Sequence, residues 1–429
     1  MKIDVFYEFT EEISMVNKEI IQRFKRSFGL FIHWGLYAIP AWHEQIQWRR
    51  GIKRNAYTKL QMKFNPMKFH PDEWIDIAQD AGMDHICITA KHHDGFCLWN
   101  TRYTDYNVIK TPYGKDIIDQ LANTCARRNF PLGIYYSVVD WHHPNYPNQG
   151  RSHELIKGDT QDSPNVNKYI DYLKGQTEEL CSNYGPIFQF FWDMNVTGLI
   201  DPSINDYLRK LQPQMLINDR GFDAGDFTTP ERDFNDPEHE KRKKGILVQA
   251  NQSVGRESWG YKTDEDYYSL RHLIQSIDKY LSVGAGYLLN VGPKADGSID
   301  RTSRRLLRNI GRWYRSVKES FIDVEFVKEF VEDADILITK RGETIYVHLS
   351  EQPVTSRVLL KPIDKKPTRA LVLNNQQPAN ARIDILPTEI MNANGNIIDS
   401  PPTLRVRRLP VEKFSDSVIV LRLDFPRDI

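Results

Sequence analysis

Short apolar runs, each followed by a helix-like stretch, recur along the first three quarters of this chain. Phe28–Ile32, His85–Lys91, Leu132–Ser137, Ile187–Trp192 and Met215–Ile217 are the first five. Helical patterns over residues 70–82, 117–128, 167–184 and 204–211 separate these five. A short apolar run bounded by turn signals fits a strand buried on both faces. Strand, helix, strand, helix predicts a parallel sheet covered by helices. Five units in succession with no reversal favour a closed (β/α)8-like barrel of TIM type, regular or not, over an open sheet. No G-x-G-x-x-G follows the first strand, which argues against dinucleotide binding.

The pattern blurs over 221–245, where the charge run 238–244 reads as a solvated loop. Gly245–Ala250 and Gly286–Val291 restore the strands. Thr263-Asp-Glu-Asp266 resembles a capping box that opens a helix through Ser282, and a helix over 301–320 closes the barrel. After about residue 322 the apolar period changes to two. Two strands around Lys340-Arg-Gly-Glu343 predict a hairpin, and 358–360, 370–373 and 418–421 add further strands. We expect a barrel over residues 1–322 and a small antiparallel β-sandwich over 323–429.

Composition narrows the function. Lys+Arg and Asp+Glu both total 57, so there is no electrostatic footprint for nucleic acid. The longest apolar runs are far short of a membrane span. The four cysteines form no C-x-x-C pair and read as buried, reduced thiols. Met1–Asn17 lacks the basic and apolar regions of a signal peptide. The chain as written is therefore expected in the cytoplasm, or secreted or periplasmic if a leader was removed.

Barrel enzymes place their chemistry at the C-terminal ends of the strands. The polar residues there are His33, His92, His93, Tyr136, Asp193 and Arg220, and the next loop adds Glu231. Asp193 closes the aromatic strand; alone, it could equally cap a helix or pair with an arginine. Tyr135 replaces Tyr136 if the strand faces are reversed, and Glu238 is the rival of Glu231. Adjacent His92 and His93 are poorly placed for one metal. His142 and His143 read as structural or rim residues. Two carboxylates among His, Tyr, Arg and Trp, with no phosphate loop, suggest glycoside hydrolysis.

Phe28-Gly-Leu-Phe-Ile-His-Trp-Gly35, Lys91-His-His-Asp-Gly-Phe96, Tyr136-Ser137 with Asp140-Trp141, Asn218-Asp-Arg220, Ser258-Trp-Gly-Tyr261 and Leu288-Leu-Asn-Val-Gly-Pro293 resemble the family 29 α-L-fucosidases. They occur in family order over residues 28–320. The resemblance implies a retaining mechanism with Asp193 as nucleophile and Glu231 as acid/base. It implies sugar contacts from His33, Glu44, His92, His93, Tyr136, Phe191, Arg220 and Trp259. It implies no metal and no cofactor. Many members carry Trp where this chain has Phe191, which stacks but donates no hydrogen bond. Glu44 lies one residue out of the family's usual register.

The expected function is thus a retaining exo-α-L-fucosidase acting on a fucosylated oligosaccharide or glycoconjugate, with no nucleic-acid or membrane partner and with a homo-oligomer left open. The alternatives are a β-galactosidase or dual-specificity enzyme on the same site, since the two sugars share most ring stereochemistry, and a catalytically silent sugar-binding protein.

Overall fold

The structure, a computed structural model, describes residues 18–426 except 157, 233–246, 331–335, 352, 354, 361–362, 364 and 385–402. The charge run 238–244, Glu238 and the start of the Gly245–Ala250 strand lie outside the described residues. By contacts the chain divides into two units.

The first unit holds eight parallel strands. After α1 (Lys18–Phe24) come β1 (Phe28–Ile32), α2 (Pro71–Asp80), β2 (His85–Lys91), α3 (Ile117–Arg127), β3 (Leu132–Ser137), α4 (Val166–Asn183), β4 (Ile187–Asp193) and α5 (Pro202–Leu211). β5 (Leu216–Ile217), β6 (Phe227–Thr228), β7 (Leu247–Ser253) and β8 (Gly286–Val291) complete the sheet in the order β5-β4-β3-β2-β1-β8-β7-β6. A bridge between Asn218 and Phe227 joins the two ends. The sheet is a barrel with one thin seam.

The seam is where sequence reading missed a strand. β6 is two residues long, too short to stand out as an apolar run. It is held instead by hydrogen bonds from Asp226 N to Ile217 O (2.6 Å) and from Ile217 N to Asp226 Oδ2 (2.8 Å). No helix separates β5 from β6. The chain turns back at Gly225, whose φ is +63°; a Cβ there would meet the Asn218 carbonyl carbon at 2.4 Å.

A bulge sets which side chains face inward. β2 pairs with β3 as Thr89↔Tyr135 and then Lys91↔Tyr136, so Ala90 is the extra residue. A one-residue slip reverses the faces of a strand. Lys91 therefore points out of the barrel, where Nζ donates to Asp140 Oδ2 at 2.9 Å and lies 4.3 Å from the centre of the Tyr136 ring. Both partners of this ion pair are fully buried.

The second unit takes residues 269–285 and begins at 309. It contains α6 (Leu270–Ser282) and the later part of α7 (Arg301–Val317). The boundary expected at 322/323 follows chain order alone. The contacts that draw α6 into this unit include a buried pair, His348 Nδ1 to Asp278 Oδ1 at 2.7 Å. The helix starts with Ser269, whose hydroxyl caps His272 N. Thr263 does not cap it: residues 263–268 are not helical, and the Glu265 carboxylate accepts instead from the Glu257 and Ser258 amides.

The remaining strands are antiparallel. β9 (Glu325–Val327), β10 (Ile336–Arg341), β11 (Thr344–Leu349), β12 (Arg357–Leu360), β13 (Arg369–Val372), β14 (Gln377–Pro378), β15 (Asn380–Asp384), β16 (Thr403–Arg407) and β17 (Ile419–Asp424) form two sheets. One runs β14-β13-β17-β11-β10-β9 and the other β12-β16-β15. β10 and β11 are the expected hairpin, turning at Gly342 with φ +55°. Alternate residues of both sheets, among them Val347, Leu421, Leu360 and Val406, share one buried core, as in a sandwich.

Removing one partner of a buried ion pair strands the other in low dielectric and costs about 3–5 kcal/mol. Lys91→Met should lower unfolding stability by that order in urea titration. A loss under about 1 kcal/mol would mean that Asp140 is solvated.

Candidate active site

The barrel's inner face fixes the site. β3 and β4 pair as Tyr135↔Phe191 and Ser137↔Asp193. Successive side chains alternate across a strand, so Tyr135, Phe191 and Asp193 share one face. Phe31, Cys87, Tyr135, Phe191 and Leu288 form a buried cluster. Above it opens a cavity of about 330 Å³, lined by Asp193, Glu231, His33, His92, His93, Tyr135, Phe191, Glu44 and Trp259, among others. That volume is near the lower end of the range for small-molecule sites.

The tyrosine of the site is Tyr135, not Tyr136. Tyr135 Oη donates to Asp193 Oδ2 at 2.6 Å. Tyr136 faces the other way; its hydroxyl donates to Gln176 Oε1 of α4 at 2.7 Å, and its ring lies against Lys91 and Trp192. The cause is the strand's alternation. Counted against Asp193 across the register, Tyr135 has the inward parity.

Arg220 joins the two carboxylates. It follows β5, which the Asn218 side chain locks to β4 by accepting from Trp192 N (2.8 Å) and donating to Trp192 O (2.9 Å). Arg220 Nη1 donates to Asp193 Oδ1 at 3.1 Å and, in closer contact, to Glu231 Oε1. Nε is held by Thr229 Oγ1 at 2.6 Å, and the guanidinium lies 5.4 Å from the Phe191 ring. Glu231 follows β6 and is pinned to β7 by a bridge to Asn251. Two oxygens on one nitrogen cannot lie as far apart as the roughly 6.5–9.5 Å of inverting glycosidases. Met194 and Arg232, each one residue after a carboxylate, have φ of +55° and +51°. Such left-handed backbone is uncommon outside glycine and collects at functional sites.

Electrostatics favour the ionised form of Asp193. Burial alone would raise the Asp193 carboxyl; the Arg220 charge and the Tyr135 hydrogen bond outweigh it and hold Asp193 below the usual carboxylate range. Burial also works against the Arg220 charge, but Glu231 and Asp193 outweigh it and raise its pKa. Tyr135 is pushed up by burial and then by Asp193, so it stays a protonated donor.

The histidines are neutral. Burial lowers His33 and His93 to about 4 and His92 well below its ordinary value. A neutral imidazole donates at one nitrogen and accepts at the other, which suits an uncharged polyol. His33 Nδ1 meets Asn290 Oδ1 at 2.7 Å, and His93 Nδ1 meets Ser137 Oγ at 2.6 Å. Buried His92 Nδ1 has no hydrogen-bond partner among the described residues. Glu44 Oε2 accepts from Ser258 Oγ (2.7 Å) and Trp259 N (2.9 Å). It thereby seats the Trp259 ring 5.2 Å from that of His33.

All the expected residues except Tyr136 and Arg220 line the cavity, and Arg220 reaches its two carboxylates. Among the described residues no group of three or more His, Cys, Asp or Glu could hold a metal ion. His142 stacks on Tyr106 and His143 lies against Tyr172, outside the lining. Sequence reading did not identify Arg49, His153, Met194, Arg232 or Glu257, which also line the cavity. Arg49 ends a one-turn helix, Ile46–Arg49, and the other four sit on irregular segments, so none has a period to reveal its direction.

Known proteins resemble this chain in sequence and fold. The family profile described as Alpha-L-fucosidase matches residues 6–319. Alpha-L-fucosidase isoenzyme 1 from Paenibacillus thiaminolyticus superposes with a TM-score of 0.82 at 30% identity, covering 95% of this chain and 99% of that one. The tissue alpha-L-fucosidase of Rattus norvegicus is 28% identical over 320 residues, 67% of this chain and 66% of its own length. A GH29 alpha-L-fucosidase from Bacteroides thetaiotaomicron, solved as a trapped covalent intermediate with 2-fluoro-fucosyl fluoride, superposes with a TM-score of 0.77 at 23% identity, covering 95% of this chain and 96% of that one. With the profile spanning well over half of its length, the chain belongs to the α-L-fucosidase family, glycoside hydrolase family 29.

Proposed function

We infer that this protein is a retaining α-L-fucosidase that removes single terminal fucose residues from a fucosylated oligosaccharide or glycoconjugate. The observation that carries the reading is Arg220 Nη1, which brings Asp193 and Glu231 to one nitrogen in a cavity sized for one sugar. Retaining enzymes need their carboxyl groups about 5–5.5 Å apart. The trapped intermediate of the Bacteroides relative is the species such a mechanism forms.

In this reading Asp193, kept ionised by Arg220 and Tyr135, attacks the anomeric carbon. Glu231 gives its proton to the departing oxygen. A water then enters, Glu231 takes its proton, and the hydroxide oxygen displaces Asp193, so the configuration is restored. The first step needs a proton on Glu231. Sugar entry therefore has to draw Arg220 off Glu231 while leaving it with Asp193. Neutral His33, His92 and His93 supply donors and acceptors for the ring hydroxyls, and Phe191 and Trp259 supply apolar faces.

The first test is hydrolysis of 4-nitrophenyl α-L-fucoside beside the β-D-galactoside. Fast release from the fucoside and little from the galactoside is expected; the reverse would move the specificity, and silence on both would favour a binding protein. Asp193→Ala should cost at least about 10³-fold, or roughly 4 kcal/mol of transition-state stabilisation. With azide, Asp193→Ala should form β-L-fucosyl azide and Glu231→Ala the α-anomer. The same anomer from both variants would contradict the division of roles.

The two tyrosines should differ. Tyr135→Phe removes a donor to the Asp193 carboxylate and so raises the pKa of that group. The acid limb of kcat/KM, below which Asp193 is protonated and idle, should move to higher pH. Tyr136→Phe should leave that limb in place, and a shift there instead would reverse the assignment of faces.

A further inference from the structure

The chain from Val138 to Asn165 joins β3 to α4, and its described residues form no helix or strand. Loops this long in compact proteins are usually functional when they are ordered. Hydrogen bonds tie this one together on both sides of His153. Glu154, fully buried, accepts from Tyr146 Oη (2.8 Å), Gln149 N (3.0 Å) and the Arg151 side chain (2.6 and 2.8 Å). Farther along, Asp162 takes both terminal nitrogens of Arg54.

What the loop holds in place is His153. Its backbone is left-handed, φ +62°, and its carbonyl accepts from Trp141 Nε1 at 2.7 Å. Its ring is stacked on Trp48, with centroids 5.2 Å apart and planes 18° apart, and meets the His93 ring edge-on at 5.8 Å. Nδ1 is engaged with Ser152 Oγ at 2.8 Å, which leaves Nε2 as the nitrogen for a ligand. His153 lines the same cavity as Asp193 and Glu231, and so does Arg49, next to Trp48.

Depth separates these two from the sugar-ring residues. His33, His92 and His93 come from strand ends and are 5%, 4% and 2% exposed. His153 is half-buried on its loop, and Arg49 is exposed at the end of the one-turn helix Ile46–Arg49. In a cavity that holds one terminal sugar at its deep end, the more exposed wall faces what that sugar is attached to.

We propose that His153, backed by Trp48 and flanked by Arg49, forms a leaving-group subsite that hydrogen-bonds the hydroxyls of the sugar bearing the fucose. It makes His153 a specificity-determining residue for a glycan, as opposed to an aryl or alkyl, leaving group. The proposal rests on the fucosidase reading above.

The test compares two kinds of substrate. α-L-Fucosyl fluoride has a leaving group of one atom and cannot use the subsite. A panel of α-1,2-, α-1,3-, α-1,4- and α-1,6-linked fucosyl disaccharides can. His153→Asn is the variant of choice, since asparagine tolerates left-handed backbone and keeps the loop, but lacks the ring and its reach. On the best disaccharide, kcat/KM should fall at least tenfold more than on the fluoride, mostly through KM, and His153→Gln should recover part of it. Equal losses on both substrates, or no loss on either, would overturn the proposal. So would a wild-type enzyme that cleaves the fluoride but no disaccharide of the panel. Wild-type protein inactive on the fluoride as well would refute the fucosidase reading itself, and the proposal with it.

Discussion

One guanidinium organises this site. Arg220 touches Asp193 and Glu231 through the same nitrogen, and Thr229 holds its other side. Two carboxylates this close would repel and one would take up a proton. A cation between them removes that conflict and leaves Asp193 ionised despite its burial. The interaction also spans the thin seam of the barrel. Arg220 and Glu231 sit on either side of β6, a strand of two residues.

The rest of the barrel supplies direction. Inward and outward residues alternate along each strand, and the bulge at Ala90 resets the count once. Before the bulge Thr89 opposes Tyr135; after it Lys91 opposes Tyr136 and joins the buried pair with Asp140. The outward pair stiffens the wall, while the inward Tyr135 hydrogen-bonds Asp193. Packing and chemistry thus divide two adjacent tyrosines between them. Neutral histidines complete the division, since burial that forbids their charge leaves their hydrogen bonds free for a sugar.

Much of this was legible in the chain itself. Long amphipathic helices and fully apolar strands announced the barrel, and period-two alternation announced the sandwich. Asp193, His33, His92 and His93 stand at strand ends that apolar runs point to. The choice between Tyr135 and Tyr136 was not legible from either residue. It depends on register against a neighbouring strand, although counting by twos from Asp193 through Phe191 and across to β3 would have selected Tyr135. β6 was invisible because hydrogen bonds to Asp226 define it, not hydrophobicity. His153 was invisible because its position depends on contacts as remote in sequence as Trp48. Loops carry no period, so their side-chain directions appear only once the fold has brought their anchors together.

The central claim is that Asp193 attacks the sugar and Glu231 does not. The most direct measurement is mass spectrometry of peptides after incubation with a 2-deoxy-2-fluoro-fucosyl fluoride, whose slow turnover lets the intermediate accumulate. The account predicts one fluorofucosyl adduct, on the peptide that contains Asp193, released when the inactivator is removed. An adduct on the Glu231 peptide, or steady turnover with no adduct on any carboxylate, would contradict it.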